Sequence, residues 1–220
     1  MGVGSRTSRR PYPSTVRVNE HSRSLTAKAH MTGEASQTPQ PGGRAPAPGE
    51  LGLLQSFLNT YYDIEAEHGG DVLATPAALG AWLSRRGLLD RARPDAGDLR
   101  RAVAIRESLR ELLQGNGEDA LDRLNGAADD ATVEIRFGPS GPRFVPTQGV
   151  GGALGALLAI AARAMIDGSW ARLKICPGED CGWTFYDGSR NQSGRWCSMS
   201  VCGGRAKARA HYRRQRGRRR

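Results

Sequence analysis

The chain has 220 residues, of which 38% are hydrophobic and 25% charged, and its formal net charge at pH 7 is +10. No apolar run reaches the roughly 20 residues that a membrane-spanning helix needs, and the N-terminus lacks the apolar core of a secretory signal. These features argue against a membrane or secreted protein, so we expect a cytoplasmic one with room for one or two domains.

The positive charge is concentrated at the two ends of the chain. Residues 1–50 carry a net charge of +4 and residues 176–220 a net charge of +8, whereas residues 51–175 carry a net charge of −2. Such asymmetry favours a polyanionic partner, which is more often nucleic acid than an anionic membrane.

Residues 1–49 are rich in Ser, Thr, Pro, Gly and Arg and end in TPQPGGRAPAPGE. They show neither the alternation of a strand nor the apolar period of a helix. Such a segment cannot bury enough apolar surface to offset the entropy lost on ordering it. We therefore predict a disordered arm over residues 1–49.

Residues 51–170 are predicted to form an α+β domain with a mostly helical body. Apolar residues recur at helical spacing from the start of this range. A second helix is expected after Thr75, which is a good N-cap and precedes Pro76. The strongest helical pattern ends at Gly115, and a short helix is expected at about 119–126.

The segment TVEIRFGPSGPRFVP has the pattern of a β-hairpin. Val133, Ile135 and Phe137 alternate onto one face, GPSG supplies the turn, and Phe144 continues the return strand. The small-residue, largely apolar stretch GALGALLAIAARAMIDG predicts a buried helix, and ARLKIC predicts a short strand. The fold class is therefore α+β, a mostly helical body with a small antiparallel sheet.

The four cysteines, Cys176, Cys181, Cys197 and Cys202, follow the spacing C-x4-C-x15-C-x4-C. Zinc takes four thiolates at the corners of a tetrahedron, and two short-spaced pairs separated by a hairpin can supply them. A disulfide pair, a thiol redox switch and unbound structural cysteines are the alternatives. One structural zinc ion is preferred, because a reducing location disfavours disulfides and a switch needs only two thiols. His211 is a fifth possible ligand, but an exposed polar residue is the simpler interpretation.

Residues 171–220 are predicted to form a treble-clef or ribbon-like zinc module that ends in a basic helix. Trp183 and Phe185 have the pattern of strand residues, DGSRNQSG supplies a turn, and the proline-free run after Cys202 favours a helix. So small a unit buries little apolar surface. A bound metal that contributes on the order of 10–16 kcal/mol would allow it to fold.

The stretch CPGEDCGWTFYDGSRNQSGRWCSMSVCGGRAKARAHYRR resembles the CGNR-type zinc finger of bacterial proteins. Upstream, FLNT, AALGAWLSRRGLL and IRESLRELL resemble segments of the ABATE domain, which precedes that finger in a family of stress-induced transcription regulators. The resemblance covers about residues 51–215. It implies that the four cysteines bind zinc and that the basic residues after Cys202 contact DNA. Gly204 replaces the asparagine of the signature, which removes a side chain that could cap the helix or meet a phosphate.

The charge of the final segment favours nucleic-acid binding independently of the resemblance. Nine of the last eighteen residues are Lys or Arg and none is acidic, and such dense charge is relieved when phosphates neutralise it. The predicted nucleic-acid-binding residues are Arg190, Arg195, Arg205, Lys207, Arg209, Arg213, Arg214 and Arg216. DNA is the preferred partner. RNA binding, non-specific polyanion binding and a zinc-based protein-interaction module are the alternatives.

An enzyme is the rival class. GVGGALG, at residues 149–155, superficially resembles a dinucleotide-binding loop, but Leu154 occupies the place of the third glycine and no clear βαβ unit surrounds it. Four cysteine ligands also leave no open position on zinc for water, so we expect no catalytic activity. By analogy with regulators that pair a reader with a sensor, residues 51–170 would bind an effector ligand or form a homodimer.

Overall fold

The computed structural model describes residues 40–61, 70–139, 141–179 and 181–217, and in these ranges the chain forms six α-helices and four short strands. The helices are α1 (Glu50–Leu58), α2 (Pro76–Arg85), α3 (Ala96–Leu113), α4 (Glu118–Ala128), α5 (Gly149–Asp167) and α6 (Gly204–Gly217). The strands are β1 (Val133–Gly138), β2 (Gly141–Pro146), β3 (Leu173–Ile175) and β4 (Thr184–Tyr186). The predicted α+β class with a mostly helical body is confirmed.

Side-chain caps fix where two of the helices begin. Thr75 Oγ1 accepts a hydrogen bond from Ala78 N at 3.1 Å, and Pro76 is the first residue of α2, as the sequence predicts. Asp95 and Asp98 form a reciprocal capping box at the start of α3. These caps satisfy backbone N–H groups that have no partner inside the helix, so the starts of both helices are set by local sequence.

The strands form two separate antiparallel pairs where the sequence predicts one small sheet. β1 pairs with β2 from Val133 opposite Pro146 to Gly138 opposite Gly141, which confirms the predicted hairpin. β3 pairs with β4, with Lys174 opposite Phe185. Because β3 ends immediately before the first cysteine and β4 begins three residues after the second, this second pair of strands positions the predicted metal site.

Helix α5 packs against α1, α3, α4 and the β1–β2 hairpin. A Cβ atom added at Gly155 would lie 2.8 Å from Thr132 O and 3.0 Å from Val133 Cγ1, so the hairpin approaches the helix more closely than a side chain would allow. By length and composition α5 could cross a membrane, but 56% of its apolar window is buried inside the protein. It is therefore a core helix, as its small-residue composition predicts.

Buried apolar side chains form two clusters. The larger cluster fills the space between the helices of the body and includes Phe57, Trp82, Ile105 and Leu154. The smaller cluster is built around the cysteines and consists of Cys176, Trp183, Phe185, Cys197 and Cys202. Three of its five residues are cysteines, so a metal ion that binds their sulfurs would lie inside this cluster.

Residues 40–47 pack against the folded chain, although the sequence predicts them to belong to the disordered arm; we call them the N-terminal strap. Ala47 is fully buried, and its backbone N–H donates a hydrogen bond to Gln55 Oε1 at 2.7 Å. Gln40 Oε1 accepts hydrogen bonds from Gln55 Nε2 at 2.8 Å and from Trp183 Nε1 at 3.1 Å. The structure therefore adds the strap to the folded part. Residues 1–39, which make up most of the rest of the predicted arm, lie outside the described residues.

Two truncations distinguish the strap from the arm. Removal of residues 1–39 is expected to leave the melting temperature unchanged, because the sequence offers nothing there that could pack against the core. Removal of residues 1–47 is expected to lower it, since each buried polar group left without a partner costs about 1–3 kcal/mol. Differential scanning calorimetry of both zinc-loaded proteins measures the effect. Equal melting temperatures for the two truncations would show that the strap does not stabilise the fold.

Candidate metal centre and basic helix

The four cysteine Sγ atoms converge on one point. All lie within 4.8 Å of one another, and Cys197 Sγ is 3.6 Å from both Cys181 Sγ and Cys202 Sγ. Four sulfurs about 2.3 Å from a central zinc ion lie about 3.8 Å apart, so the arrangement fits a tetrahedral site. Cys176 completes it, whereas His211 is not part of the cluster. A set of four thiolate ligands leaves no coordination position for water, which is typical of a structural ion.

A tight turn between β3 and β4 places the first cysteine pair. Cys176 N donates a hydrogen bond to Trp183 O at 2.9 Å, and Cys181 N donates to Gly178 O at 3.1 Å. A Cβ atom at Gly178 would lie 3.2 Å from Cys202 Sγ. The glycine therefore lets the backbone of this turn pass close to the Cys202 sulfur and to the Cys181 side chain.

The second cysteine pair lies at the start of the basic helix. Ser198 caps a π-helical turn over Met199–Gly203, and its Oγ accepts a hydrogen bond from Val201 N at 3.3 Å. This turn continues directly into α6. Cys202 lies inside the turn and Cys197 lies immediately before its cap, so a metal ion bound by both fixes the direction in which α6 leaves the module.

The thiols cannot all ionise side by side without a cation. Hydrogen bonds from Cys181 and Cys197 lower the pKa of the Cys176 thiol to about 2. The contact with Cys176 raises the pKa of the Cys181 thiol to about 12 and also raises the pKa of the Cys197 thiol. The contacts among these three thiols thus favour ionisation of Cys176 over ionisation of Cys181 and Cys197. A dipositive ion offsets the mutual repulsion and allows the other thiols to ionise, so that zinc binding releases protons.

Arg44 of the N-terminal strap binds the backbone around the metal site. Its Nε donates a hydrogen bond to Cys197 O at 2.9 Å, its Nη2 to Trp196 O at 3.1 Å and its Nη1 to Tyr186 O at 3.2 Å. The guanidinium also lies 4.8 Å from the centroid of the Phe185 ring. One side chain therefore joins β4 to the loop that carries the third cysteine. No sequence motif indicates this role, because Arg44 lies 153 positions before Cys197.

Buried Asp187 forms hydrogen bonds that order the loop between β4 and the third cysteine. Its buried carboxylate accepts hydrogen bonds from Lys174 Nζ at 2.6 Å, Gly194 N at 2.7 Å and Ser189 N at 3.1 Å. Burial alone would raise the pKa of the Asp187 carboxyl, but these donors outweigh it and hold that pKa well below its usual range. The carboxylate stays ionised at neutral pH and orders the loop between β4 and the third cysteine.

Buried polar contacts join the zinc module to the helical body. Asn59 Nδ2 donates a hydrogen bond to Thr184 O, and Thr184 N donates one to Asn59 Oδ1, both at 2.8 Å. Arg110 of α3 donates to Gly182 O at 2.9 Å and to Leu58 O at 2.8 Å. The Asn59 amide thus satisfies the backbone of β4 as a neighbouring strand would. The zinc module is therefore packed against the body rather than joined to it by a free linker.

Four of the predicted nucleic-acid-binding residues share one face of α6. Arg205, Arg209, Arg213 and Arg216 recur every three or four residues, which places them in one row on the helix. Arg209 is half-buried, and its Nη1 lies 2.9 Å from a carboxylate oxygen of Glu179 in the first cysteine turn. The other three arginines are exposed. The ion pair ties the helix back to the metal site and leaves the row facing solvent.

The other predicted contacts lie elsewhere on the module. Lys207 and Arg214 are exposed on the opposite side of α6 from this row, given the helical period. Arg190 and Arg195 are exposed in the loop between β4 and the third cysteine, where the Arg195 guanidinium lies 5.2 Å from the centroid of the Trp196 ring. The eight predicted residues therefore do not form one continuous row.

Tyr212 belongs to the arginine row but is not among the residues predicted from the sequence. With Arg209, Arg213 and Arg216 it lines a shallow concavity of about 430 Å³, and 67% of it is exposed. Tyr212 follows Arg209 by three residues, and this helical spacing could have placed it on the same face from the sequence. An exposed aromatic ring between arginines can contact a base or sugar while the arginines bind phosphates.

A cluster of four cysteines that fixes the start of a basic helix is the site of a zinc finger, and it supports one structural zinc ion. Residues 172–215 match the CGNR zinc finger, and residues 51–168 match ABATE, described as "Putative stress-induced transcription regulator". The chain therefore belongs to the ABATE family and carries a CGNR zinc finger after that domain, which confirms the resemblance drawn from the sequence. A comparison with curated proteins found no match.

Gly204, which replaces the asparagine of the CGNR signature, does not occupy a position where only glycine has room. Gly204 is the first residue of α6, and a Cβ atom there would make only an ordinary contact, 3.5 Å from Met199 O. Gly203 differs, because a Cβ atom there would lie 2.8 Å from Met199 Sδ. The backbone therefore accommodates a Cβ atom at position 204, whereas one at position 203 would require Met199 to shift.

Proposed function

We propose that the chain is a cytoplasmic, DNA-binding transcription regulator whose zinc finger presents α6 to duplex DNA. The exposed arginine row of α6, which begins directly after the metal-bound turn, is the observation that carries this proposal. Guanidinium groups bind phosphate and can also bind the edge of guanine in the major groove, which is wide enough for a helix. Membership of a family described as transcription regulators supports the same function.

Zinc has a mechanical role in this function. The exposed arginines of α6 repel one another, which destabilises the helix. The Arg209–Glu179 ion pair lies at the protein surface, so it adds little to the stability of the helix on its own. A metal ion bound by Cys197 and Cys202 holds the first turn of the helix in place. The arginines then meet DNA from a preorganised direction, so less conformational entropy is lost on binding.

The proposal assigns no catalytic activity to the chain. The thiolates fill a tetrahedral zinc site, and a catalytic zinc ion needs an open position for water or substrate. The small concavity on α6 is lined by arginines and a tyrosine, which suits a polyanion.

Selection of bound sequences from a random duplex library, with RNA present as competitor, tests the proposal. Enrichment of a duplex motif is the expected result. Retention of RNA without an enriched motif would instead establish non-specific polyanion binding. Failure to retain any nucleic acid would leave the zinc finger as a protein-interaction module.

Two charge-matched double variants test the face of α6. The variant Arg213→Ala/Arg216→Ala removes two charges from the arginine row, and Lys207→Ala/Arg214→Ala removes two from the opposite side. The first is expected to weaken binding to the selected duplex by roughly 1–3 kcal/mol for each arginine that binds a base, with a shallower salt dependence. The second should reduce only the non-specific component. Equal reductions in affinity in a fluorescence-anisotropy salt series would show that the helix acts as a simple polycation.

A further inference from the structure

The β1–β2 hairpin has one edge that can accept another strand. Thr147 N donates a hydrogen bond to Thr132 O at 3.4 Å, so this pair, one position beyond Val133 and Pro146, is a hydrogen-bonded pair. Bonded and non-bonded pairs alternate in an antiparallel ladder. The backbone groups of Glu134 and Arg136 therefore point toward β2. The backbone groups of Val133, Ile135 and Phe137 point away from β2, toward the open edge of β1.

Prolines block the corresponding edge of β2. Pro142 lies opposite Phe137 and Pro146 lies opposite Val133, so both occupy positions whose backbone nitrogen faces away from β1. Proline has no N–H to donate, and prolines at such positions prevent an edge strand from pairing further. β1 contains no proline. Of the two edges of this hairpin, only that of β1 can form a regular ladder with another strand.

The open edge also carries large apolar side chains. Phe137 is 83% exposed and Ile135 is 58% exposed, and they lie on the same face of β1 as Val133. In the described part of the chain β1 pairs with β2 alone. An exposed edge strand with bulky apolar residues is prone to pair with another chain.

We propose that β1 pairs antiparallel with β1 of a second copy of the chain, about a two-fold axis through Ile135. In this register Val133 lies opposite Phe137 of the second copy, and Ile135 lies opposite Ile135. These are the positions whose backbone N–H and C=O groups face the open edge, so each pair exchanges hydrogen bonds. The two hairpins then form a continuous four-stranded sheet with the order β2-β1-β1-β2.

The charges on the other face of β1 fit the same register. Glu134 lies opposite Arg136 of the second copy and Arg136 opposite Glu134, in non-hydrogen-bonded pairs, where cross-strand side chains are closest. Within one chain Arg136 lies opposite Arg143, a repulsive pair, and is compensated by its ion pair with Glu134. Pairing with a second copy gives each Arg136 another carboxylate. A two-residue change of register, which keeps the same side chains on each face, would place Glu134 opposite Glu134 or Arg136 opposite Arg136, so charge selects the register centred on Ile135.

Packing against α5 favours this arrangement as well. Val133 Cγ1 lies close to Gly155 of α5. The register brings Phe137 of the second copy beside Val133 on the face that meets the helix. The exposed aromatic ring of each chain thereby gains apolar neighbours in the other.

Charge reversal in the full-length, zinc-loaded protein tests the proposal. Analytical ultracentrifugation over a concentration series should show a dimer for the wild type and monomers for Glu134→Arg and for Arg136→Glu, because each single variant places like charges opposite one another. An equimolar mixture of the two variants should form a heterodimer, since every cross-strand pair then unites opposite charges. The double variant Glu134→Arg/Arg136→Glu should dimerise by itself.

Ile135→Pro provides a test without a change of charge. Its nitrogen faces the open edge, so the variant should keep the hairpin and the circular dichroism spectrum yet be monomeric. A monomeric wild type at all concentrations would overturn the proposal. A dimer that persists in the charge-reversed and proline variants would overturn it too, because another surface would then hold the copies together.

Discussion

Replacement of Cys197 by serine is expected to release the zinc ion and to destabilise the whole described chain. Cys197 Sγ is central in the cluster, at 3.6 Å from two other sulfurs. A structural zinc ion contributes on the order of 10–16 kcal/mol to small metal-binding modules, which is as large as the whole stability of a typical domain. We expect the loss to spread beyond the module. Asn59 would then lose its hydrogen bonds to the backbone of Thr184, and Arg110 would lose its hydrogen bond to Gly182 O.

Elemental analysis and thermal unfolding measure the two parts of this prediction. Wild-type protein purified without added metal should contain about one zinc ion per chain, and Cys197→Ser should contain almost none. Its unfolding transition should move to lower temperature for the body as well as the module. Ser193→Ala, in the exposed loop before the third cysteine, is the matched control and should retain zinc. A metal-free Cys197→Ser protein with an unchanged transition would show that the metal is not part of the core.

Replacement of Asp71 by alanine is expected to have the second-largest effect. The Arg106 side chain of α3 is 1% exposed and binds both oxygens of Asp71, with Nη1 and Nη2 each at 2.7 Å. Asp71→Ala leaves a guanidinium in the core without its bidentate partner, and breaking a buried pair in this way costs about 3–5 kcal/mol. We expect about 3 kcal/mol, because Asp71 is 26% exposed and Glu107 remains as a partner.

The pH dependence of this effect has a definite sign. Burial would raise the pKa of the Asp71 carboxyl, but hydrogen bonds from Arg106 and Leu73 and the charge of Arg106 hold that pKa below its usual range. A carboxyl with a depressed pKa in the folded state contributes its full stability above its unfolded pKa, near pH 4, and loses it in more acidic solution. The difference in unfolding free energy between wild type and Asp71→Ala should therefore be constant near neutrality and shrink below about pH 4.

Denaturant unfolding of wild type, Asp71→Ala and Arg106→Met at several pH values provides the measurement. Metal release in acid affects all of these proteins and cancels in their differences. Arg106→Met removes the buried charge itself and should cost less than Asp71→Ala, since an apolar side chain needs no ionic partner. Asp90→Ala, at an exposed aspartate, is the control. If Arg106→Met were the more damaging change, the contribution would come from packing and not from the ion pair.

Local sequence determines the parts of the structure that could be predicted. Thr75 and Pro76 set the start of α2, and alternation over Val133–Phe137 predicts β1. The paired spacing of the cysteines predicts the metal cluster, because a short knuckle and a hairpin suffice to bring four sulfurs together. These features depend on residues close in sequence, so periodicity and spacing are enough to find them.

The features that could not be predicted depend on long-range polar contacts. The prolines and glycines of the N-terminal strap have the composition of a linker, and its ordered state rests on Arg44 and carbonyl groups near the end of the chain. Arg106 and Arg110 lie on a helix whose sequence gives no sign that their charges are buried. Alternation likewise identifies Ile135 and Phe137 as strand residues without indicating that both are exposed. A pattern reports which residues share a face, and only the tertiary structure reports what that face meets.

The long separation between Arg44 and its partners also orders events during synthesis. The strap leaves the ribosome early, but its acceptor at Cys197 is made 153 residues later. At roughly 5–20 residues per second the strap waits about 8–30 s for this partner. The helical body between them can form in that interval, whereas the cysteine turns must follow. The contact between the strap and the zinc finger therefore forms last, after the helical body has folded and once the cysteine turns have been synthesised.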